Sequence, residues 1–279
     1  MASAPQSQRD LDHRALYPTH VEPGLPGPKG LLLDFGGVIV QDSPIEGWAP
    51  KVAAEIHKIL VDADADVVDI DRIEADVDAG ETAVKLFRDS QSRLMFPKEP
   101  SHEEYVLGYI AADWPYAARE AIRPHTSQIA YWVSDWKSQR TQRPGIADLL
   151  AYCKETGIPV AIVSNALCGQ VHRDHIRQFG FEDAIAAEIY SDEYGIRKPN
   201  PELIWLGAAA IDCQPSECWY VGDHVDRDVL CGQRARVAAS VLMPAPGAPK
   251  RPFRVLARPQ VQVADPACLL DVLRELASN

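Results

Sequence analysis

Several polar side chains follow short apolar segments, in positions where they could act together on a substrate. If the apolar segments "LLLDFGGV", "AIVSNA" and "CWYVGD" are parallel strands, the polar residues after them meet beyond the carboxyl ends of the strands. Open α/β sheets bind their ligands in that crevice. The residues in question, including one in the loop "GIRKPNPELI", are Asp34, Ser164, Asn165, Lys198, Asp223 and Asp228.

These residue types suit the transfer of a phosphoryl group. A carboxylate can attack an electrophilic phosphorus or carbon atom and form a covalent intermediate. The transfer then needs positioning and compensation of oxygen charge, which a hydroxyl, an amide, an ammonium and a divalent cation provide. Asp34, Asp223 and Asp228 supply the hard oxygen ligands that suit Mg²⁺. The other three side chains supply hydrogen-bond donors for a phosphate.

The order of the segments predicts a fold that brings these residues together. From Pro144 onward, short apolar segments alternate with amphipathic ones, which is typical of a parallel sheet with crossover helices. Proline at the start and glycine at the end of "PGIADLLAYCKETG" mark one of the helices. The remaining segments are expected as helices near 169–179, 200–211 and 226–235, strands near 185–190 and 218–223, and a last strand and helix in "VQVADPACLLDVLRELASN". We therefore predict an α/β core.

Residues 43–143 have a different character. They contain long amphipathic stretches and hardly any strand-like run, so we predict an all-helical domain inserted into the core. This segment carries Trp48, Trp114, Trp132 and Trp136, which are four of the six tryptophans. We expect them chiefly to fill the core of the helical domain, although some could line a surface that faces the substrate.

The chain accordingly divides into three parts. Residues 1–29 hold five prolines and little periodicity, so we expect a poorly ordered or surface-bound arm, with the fold beginning at about Gly30. Residues 30–42 and 144–279 make up the predicted core domain, which includes a proline-rich loop at 244–259. The helical domain at 43–143 lies between them in the sequence.

The composition restricts the classes of partner and compartment. The formal net charge of −12 disfavours binding to nucleic acid or to an anionic membrane surface and favours a metal cation. No uncharged apolar run of about 18 residues and no signal-like start is present, so we expect a cytoplasmic protein. The six cysteines are scattered without paired spacing and are interpreted as reduced and structural.

Four segments resemble the four sequence motifs of the haloacid dehalogenase superfamily of hydrolases. The resemblance covers residues 30–42 and about 140–243, and it is most specific in "YSDEYGIRKPNPELIWLGAAAIDCQPSECWYVGDHVDRDVL". It implies a Rossmann-like core and a helical cap that closes over the site and selects the substrate. The implied activity is Mg²⁺-dependent hydrolysis of a small phosphorylated metabolite.

The resemblance also implies a role for each residue of the set. Asp34 would be the nucleophile that forms an aspartyl-phosphate intermediate, and it would also bind the metal ion. Lys198 would bridge this nucleophile and the phosphate. Ser164 would bind the phosphate, with Asn165 beside it.

The sequence departs from the family pattern at one residue of the implied metal site. Asp223 would coordinate Mg²⁺ with support from Asp228, and the backbone carbonyl of residue 36 would be a further ligand. Phosphatases of the family usually have an aspartate at that position, which protonates the leaving group and then activates water. Here it is Gly36, and removal of a general acid and base costs roughly 10²- to 10⁴-fold in rate.

Several explanations for this departure stay open. A good leaving group, metal-bound water or a cap residue such as Glu46 or His57 could cover the missing role. Alternatively, the chain could cleave a carbon–halogen or a phosphonate carbon–phosphorus bond, chemistries of the superfamily that do without the second acid. The phosphonate reaction needs a Schiff-base lysine, for which the helical domain offers Lys51, Lys58 and Lys85. A third alternative is a binding or scaffold protein with little or no turnover.

Other common catalytic motifs are missing from the sequence. It contains no GxGxxG or GxxxxGK[ST] phosphate loop and no HExxH zinc motif. His172 and His175 lie three residues apart on a predicted helix, and we interpret them as surface residues.

Overall fold

A computed structural model describes residues 8–247 and 254–278. In these residues the strands are β1 (His20–Val21), β2 (Gly30–Leu33), β3 (Val40–Pro44), β4 (Ser138–Gln142), β5 (Val160–Ser164), β6 (Ala187–Tyr190), β7 (Cys218–Gly222), β8 (Ala239–Leu242) and β9 (Val261–Gln262). The α-helices are α1 (Gln8–Leu16), α2 (Trp48–Asp62), α3 (Ile70–Gln91), α4 (His102–Tyr105), α5 (Tyr116–Ile122), α6 (Thr126–Trp136), α7 (Ile146–Thr156), α8 (Gly169–Phe179), α9 (Ser191–Tyr194), α10 (Glu202–Ala210), α11 (Leu230–Ala235) and α12 (Pro266–Ala277). Parts of the predicted arm (1–7) and of the predicted proline-rich loop (248–253) lie outside the described residues.

Seven of the strands form one sheet in the order β1-β9-β8-β7-β2-β5-β6. All neighbours in this sheet run parallel except β1, which pairs antiparallel with β9. The α/β prediction is therefore confirmed. Leu33, the last residue of β2, lies opposite Ile162 of β5 and Val221 of β7, so the three strands end at the same edge of the sheet.

Strand β2 is buried on both faces, which explains its continuous apolar sequence. Leu31 and Leu33 belong to a hydrophobic cluster that includes residues of α7 and α12. Leu32 points to the opposite face and packs with residues of α10 and α11. This burial fixes the position of the residue that follows β2, namely Asp34.

Helices α2 to α6 pack around a hydrophobic cluster of their own. Trp114 is buried in this cluster, while Trp48, Trp132 and Trp136 are half-buried against it. Leu167, from the loop after β5, also belongs to the cluster and so brings the helices into contact with the α/β part. In the described part of the chain, no helix combines the length and apolar character required to cross a membrane.

Residues 43–143 are not wholly helical, which corrects the sequence-based prediction. Strands β3 and β4 form an antiparallel ribbon in which Val40 lies opposite Gln142 and Pro44 opposite Ser138. The ribbon carries the chain from the sheet to the helices and back. Most of its residues are polar and exposed, so the ribbon shows no alternation of apolar and polar side chains from which strands could be predicted.

The fold also begins before Gly30, contrary to the sequence-based prediction. Strand β1 extends the edge of the large sheet, and α1 precedes it. An ion pair joins Arg14 Nε and Asp265 Oδ2 at 2.6 Å, and His13 Nε2 lies 2.9 Å from the carbonyl oxygen of Pro244. A two-residue edge strand is too short to be recognised by periodicity.

A buried cluster of charged residues fixes the helical segment to the α/β part, and we call it the Glu99 cluster. The fully buried Glu99 carboxylate forms ion pairs with Arg88, at 2.8 Å, and with Arg197. The Ser191 hydroxyl donates to it at 2.7 Å. Because Glu99 precedes α4 while Arg197 lies just before Lys198, the cluster connects the helical segment to the loop that carries Lys198.

Candidate active site

Asp34 lies at the carboxyl end of β2 with its carboxylate buried. Its backbone N–H donates to the carbonyl of Val221 at 2.9 Å, which continues the ladder between β2 and β7 by one residue. The backbone N–H of Phe35 donates to Oδ1 at 2.8 Å, and Lys198 Nζ lies 2.9 Å from Oδ2. Each carboxylate oxygen therefore has a fixed donor.

Lys198 is the cation at the centre of the site. Its buried ammonium lies 2.9 Å from Asp34 Oδ2 and 2.8 Å from Asp228 Oδ1. It also donates to the hydroxyl of Tyr220 at 2.6 Å. Burial alone would lower the pKa of Lys198, but Asp228 and Asp34 raise it above the ordinary value. Lys198 is therefore a charged ammonium that two carboxylates share.

Asp228 holds the lysine and the turn after β7. Its Oδ1 accepts from Lys198 and, at 3.0 Å, from the Tyr220 hydroxyl. Its Oδ2 accepts from the backbone N–H of His224 at 3.0 Å, with Arg227 Nε at 3.5 Å. Burial alone would raise the pKa of Asp228, but Lys198 and Arg227 hold it well below its usual value. Both oxygens already accept hydrogen bonds, so Asp228 mainly organises its neighbours.

Asp223 directly follows β7, and its side chain faces the turn that follows Asp34. Its Oδ1 lies 2.5 Å from His224 Nδ1 and 3.0 Å from Arg227 Nη2. Gly37 in the facing turn has φ 76°, and a Cβ placed there would lie 2.5 Å from Asp223 Oδ2. Position 37 therefore requires glycine, because any other side chain would collide with the Asp223 carboxylate. Asp223 thus presents Oδ2 toward the turn that contains Gly36.

The polar residues after β5 border the same site. Ser164 is the last residue of β5 and is buried. Asn165 Oδ1 accepts from the backbone N–H of Lys198 at 2.8 Å, and its Nδ2 donates to the Lys198 carbonyl at 3.3 Å. Asn165 therefore fixes the backbone of the lysine, a function that the sequence alone did not indicate.

A cavity of about 190 Å³ lies above the carboxyl ends of these strands. It brings together Asp34, Gly36, Ser164 and Asn165 from the predicted set, whereas Lys198, Asp223 and Asp228 lie next to it through the contacts above. Four of its polar lining residues, Asp42, Arg140, His172 and Arg227, were not among the predicted site residues. The cavity is lined by Asp34, Phe35, Gly36, Asp42, Arg140, Ser164, Asn165, His172 and Arg227.

The interpretation of His172 as a surface residue is wrong. The imidazole is buried and stacks on Phe35, with ring centroids 4.0 Å apart and planes inclined by 15°. Burial lowers the pKa of His172 well below its usual value, so the ring is neutral. Its position after the Ser164 loop, in the first turn of α8, was a signal that placed it near the strand ends. His175, one turn later, is half-buried, and its Nδ1 lies 2.8 Å from the Val171 carbonyl.

The ribbon contributes two further residues to the cavity. Asp42 of β3 lies directly opposite Arg140 of β4, and Arg140 Nε is 3.2 Å from Asp42 Oδ1. Asp42 Oδ2 lies 3.4 Å from the position that a Cβ at Gly36 would occupy. Arg227 enters the cavity from the turn after β7. Its location inside the acidic segment "GDHVDRDV" was a sequence signal for this role.

The residues of the helical segment that were considered for chemistry are not among those that line this cavity. Glu46 is exposed and His57 is half-buried on α2. The possible Schiff-base lysines Lys51, Lys58 and Lys85 are exposed.

The chain is similar to known hydrolases in sequence and in fold. A family model of haloacid dehalogenase-like hydrolases matches residues 28–236. The glyceraldehyde 3-phosphate phosphatase of Methanopyrus kandleri is 26% identical over 211 residues, which cover 74% of this chain and 87% of that protein. Hexitol phosphatase B of Escherichia coli strain K12 is 26% identical over 151 residues, which cover 54% of this chain and 66% of that protein.

A solved structure shows the same fold at lower identity. The 2-haloacid dehalogenase from Pseudomonas syringae pv. Tomato DC3000 matches with a TM-score of 0.56 at 13% identity, over 88% of this chain and 97% of that one. The family model covers three of the strand ends that form the cavity, together with the Lys198 loop between them. The chain therefore belongs to the family of haloacid dehalogenase-like hydrolases.

Proposed function

We propose that this chain hydrolyses a small phosphomonoester through a covalent aspartyl-phosphate on Asp34. The observation that carries the proposal is the arrangement of Asp34 in the cavity with both oxygens held, Oδ1 by the Phe35 N–H and Oδ2 by Lys198. Such a carboxylate is oriented for attack, since positioning supplies much of the rate of phosphoryl transfer. The phosphatase names of the two relatives support phosphate as the group transferred.

The surrounding residues supply what a phosphate needs. Lys198 keeps its positive charge and compensates the charge of the phosphate oxygens and of Asp34. Ser164 brings a hydroxyl to the cavity wall, where it would donate to a phosphate oxygen. Arg227 adds a second cation beside the cavity. These groups act where charge develops, which is the usual origin of a large catalytic effect.

The charge of the site supports a divalent cation. The carboxylates Asp34, Asp223 and Asp228 exceed the cations Lys198 and Arg227 by one charge before any phosphate enters. A phosphate dianion would raise this excess further, which is unfavourable in a buried site. We infer that Asp34, Asp223 and the backbone carbonyl of Gly36 would hold Mg²⁺, and that Asp228 would support the site through its hydrogen bond with the backbone N–H of His224. When bound, Mg²⁺ compensates the charge of the phosphate oxygens.

The substrate is small by the size of the cavity. A volume of about 190 Å³ is below the roughly 300 to 1,000 Å³ of typical pockets for larger ligands. We infer that residues 43–143 act as a cap over it, because the ribbon that leads to these helices itself lines the cavity. The net charge of −12 further favours a small metabolite over a nucleic acid.

The decisive experiment is phosphate release from a panel of small phosphomonoesters that includes 4-nitrophenyl phosphate. It compares wild type with Asp34→Asn, each with Mg²⁺ and with EDTA. Asp148→Asn, which changes an exposed carboxylate of α7, is the matched control. We expect release only when both Asp34 and Mg²⁺ are present, and Asp148→Asn should equal the wild type.

Other outcomes would redirect the assignment. Equal release by Asp34→Asn would remove the proposed nucleophile. Absence of release from every ester would overturn the phosphatase proposal in favour of carbon–halogen or carbon–phosphorus cleavage or of a binding function. The exposed positions of Lys51, Lys58 and Lys85 count against the Schiff base that phosphonate cleavage requires.

A further inference from the structure

We propose that Asp42 is the general acid and base of this site, in place of the side chain that Gly36 lacks. The inference rests on the phosphomonoester hydrolysis proposed above. Its basis is the position of the Asp42 carboxylate beside Gly36. With Oδ2 only 3.4 Å from the position of a Cβ at residue 36, it occupies the space into which a longer side chain there would extend.

The ribbon is what brings Asp42 to this point. Asp42 and Arg140 are direct cross-strand partners, and such pairs on one face of an antiparallel ribbon are within contact distance. Arg140 holds Asp42 Oδ1 at 3.2 Å, so that Oδ2 is the oxygen nearest Gly36. Arg140 is in turn fixed by the Ser134 carbonyl, to which its Nη2 donates at 2.7 Å. Arg140 therefore holds the carboxylate through Oδ1 and leaves Oδ2 on the side of Gly36.

The other polar residues of the cavity are less suited to exchange a proton with the substrate. Among the described residues that line it, Asp34 and Asp42 are the carboxylates, and Asp34 is already the proposed nucleophile. A guanidinium such as that of Arg227 keeps its protons at any ordinary pH. The His172 ring is buried against Phe35. The Asp42 side chain remains 43% exposed, which lets it exchange protons with water between turnovers.

The proposed chemistry has two steps. In the first, a carboxylate oxygen of Asp34 bonds to phosphorus, the bond from phosphorus to the leaving oxygen breaks, and the Asp42 carboxyl gives its proton to that oxygen. In the second, water attacks the phosphorus and gives a proton to the Asp42 carboxylate, while the bond between phosphorus and Asp34 breaks. Alcohol and inorganic phosphate leave, and both aspartates regain their starting forms.

The test uses the dependence of the first step on the leaving group. Rapid-mixing measurements compare wild type and Asp42→Asn on 4-nitrophenyl phosphate and on the best alkyl phosphate of the panel. We expect Asp42→Asn to slow release of the alcohol by roughly 10²- to 10³-fold, because an alkoxide needs a proton to leave. Release of 4-nitrophenol in the first turnover should change little, since nitrophenolate leaves without one. Later turnovers should slow, which gives a burst of one nitrophenol per active site.

A ribbon control and a relocated carboxylate complete the design. Ser43→Ala changes an exposed neighbour on β3 whose side chain points to the other face, and it should match the wild type on both esters. Gly36→Asp combined with Asp42→Ala empties that space and returns a carboxylate to it, so the double variant should recover most of the rate that Asp42→Asn loses on the alkyl ester. A double variant as slow as Asp42→Asn would argue against a shared position.

The remaining outcomes separate this inference from the proposed function. Equal rates for Asp42→Asn and wild type on the alkyl ester, or equal losses on both esters in the first turnover, would overturn the role of Asp42 and leave the phosphatase proposal intact. Turnover of the aryl ester alone by the wild type would do the same, since no proton donor would then be at work. Absence of turnover on every ester would overturn the proposed function and this inference with it.

Discussion

Lys198 Nζ and Asp228 Oδ1 lie 2.8 Å apart, and both side chains are fully buried. Water does not reach either charge. The neighbouring charges and hydrogen bonds must therefore compensate the cost of burying the pair. Asp34 and the Tyr220 hydroxyl complete the contacts of the lysine. The stability of the fold and the position of the proposed nucleophile therefore depend on the same few atoms.

Asp228→Asn should destabilise the protein by about 3 kcal/mol, because the lysine loses one of its two buried counter-charges. Urea unfolding gives the free energy, and Glu217→Gln is the matched control. Glu217 forms an ion pair of 2.6 Å with Lys29 at the surface, where water screens both charges. The control should unfold at the wild-type midpoint. Equal midpoints for both variants would show that the Asp228 pair contributes nothing.

Tyr220→Phe should cost about 1 to 2 kcal/mol, since it removes a buried hydroxyl that links Lys198 to Asp228. The ring keeps its packing, so the loss measures the hydroxyl alone. A double-mutant cycle with Asp228→Asn should give a coupling free energy of about 1 kcal/mol, because the two changes affect one network. Strict additivity in the cycle would contradict the network.

Gly37→Ala should weaken Mg²⁺ binding by about 10-fold or more, because the new Cβ would displace the Asp223 carboxylate that lies 2.5 Å away. The measurement is the Mg²⁺ dependence of turnover. Gly24→Ala is the control, since Gly24 also has a positive φ, of 81°, but no atom within 4 Å of a Cβ. Both variants carry backbone strain, and only Gly37→Ala should change the metal requirement. An equal change in the Mg²⁺ requirement of both variants would show that backbone strain, and not displacement of the Asp223 carboxylate, is the cause.

The charge-dependent contribution of His102 to stability should disappear at alkaline pH. Asp192, with a further effect of Cys168, raises the pKa of His102 to about 10 in the folded protein, whereas the unfolded value is about 6.5. A raised pKa stabilises the fold fully below the unfolded value and loses that effect as the pH rises through the folded value. His102→Gln should therefore be less stable than wild type at pH 6 and approach it near pH 10. Denaturant midpoints across this range test the sign, and a gap that widens with pH would contradict it.

The positions of the strand-end residues were predictable, because the strands that precede them are buried and can be recognised by their apolar sequence. In an alternating α/β pattern, short continuous apolar segments such as "LLL" and "AIV" indicate strands that are buried on both faces. The polar residue at the end of such a segment must then lie at the carboxyl end of a strand, and the structure has Asp34, Ser164 and Asp223 at the carboxyl ends of β2, β5 and β7. The contact of Lys198 with Asp34 followed from the family resemblance, since a loop residue has no periodicity to locate it.

The residues that the sequence did not reveal lie on elements without a burial pattern. Asp42 and Arg140 sit on a polar ribbon whose pairing depends on the helices that it supports, so neighbours in sequence give no sign of it. The burial of His172 was not predicted, because the spacing of two histidines on a helix does not show whether another part of the fold covers that helix turn. Here Phe35 covers it. The contact of Asn165 with the backbone of Lys198 joins two loops. It depends on how these loops fold together, so no local sequence pattern predicts it.

The Glu99 cluster has a consequence for protein engineering. A chimaera that exchanged residues 45–137 for the helices of another protein would remove Glu99 and Arg88 but keep Arg197 and Ser191. The buried Arg197 would then lack its counter-charge, and an uncompensated buried charge costs about 3 to 5 kcal/mol. The helical segment is thus no freely interchangeable module. A graft has to bring its own acidic residue to the position of Glu99, or Arg197 has to be replaced together with it.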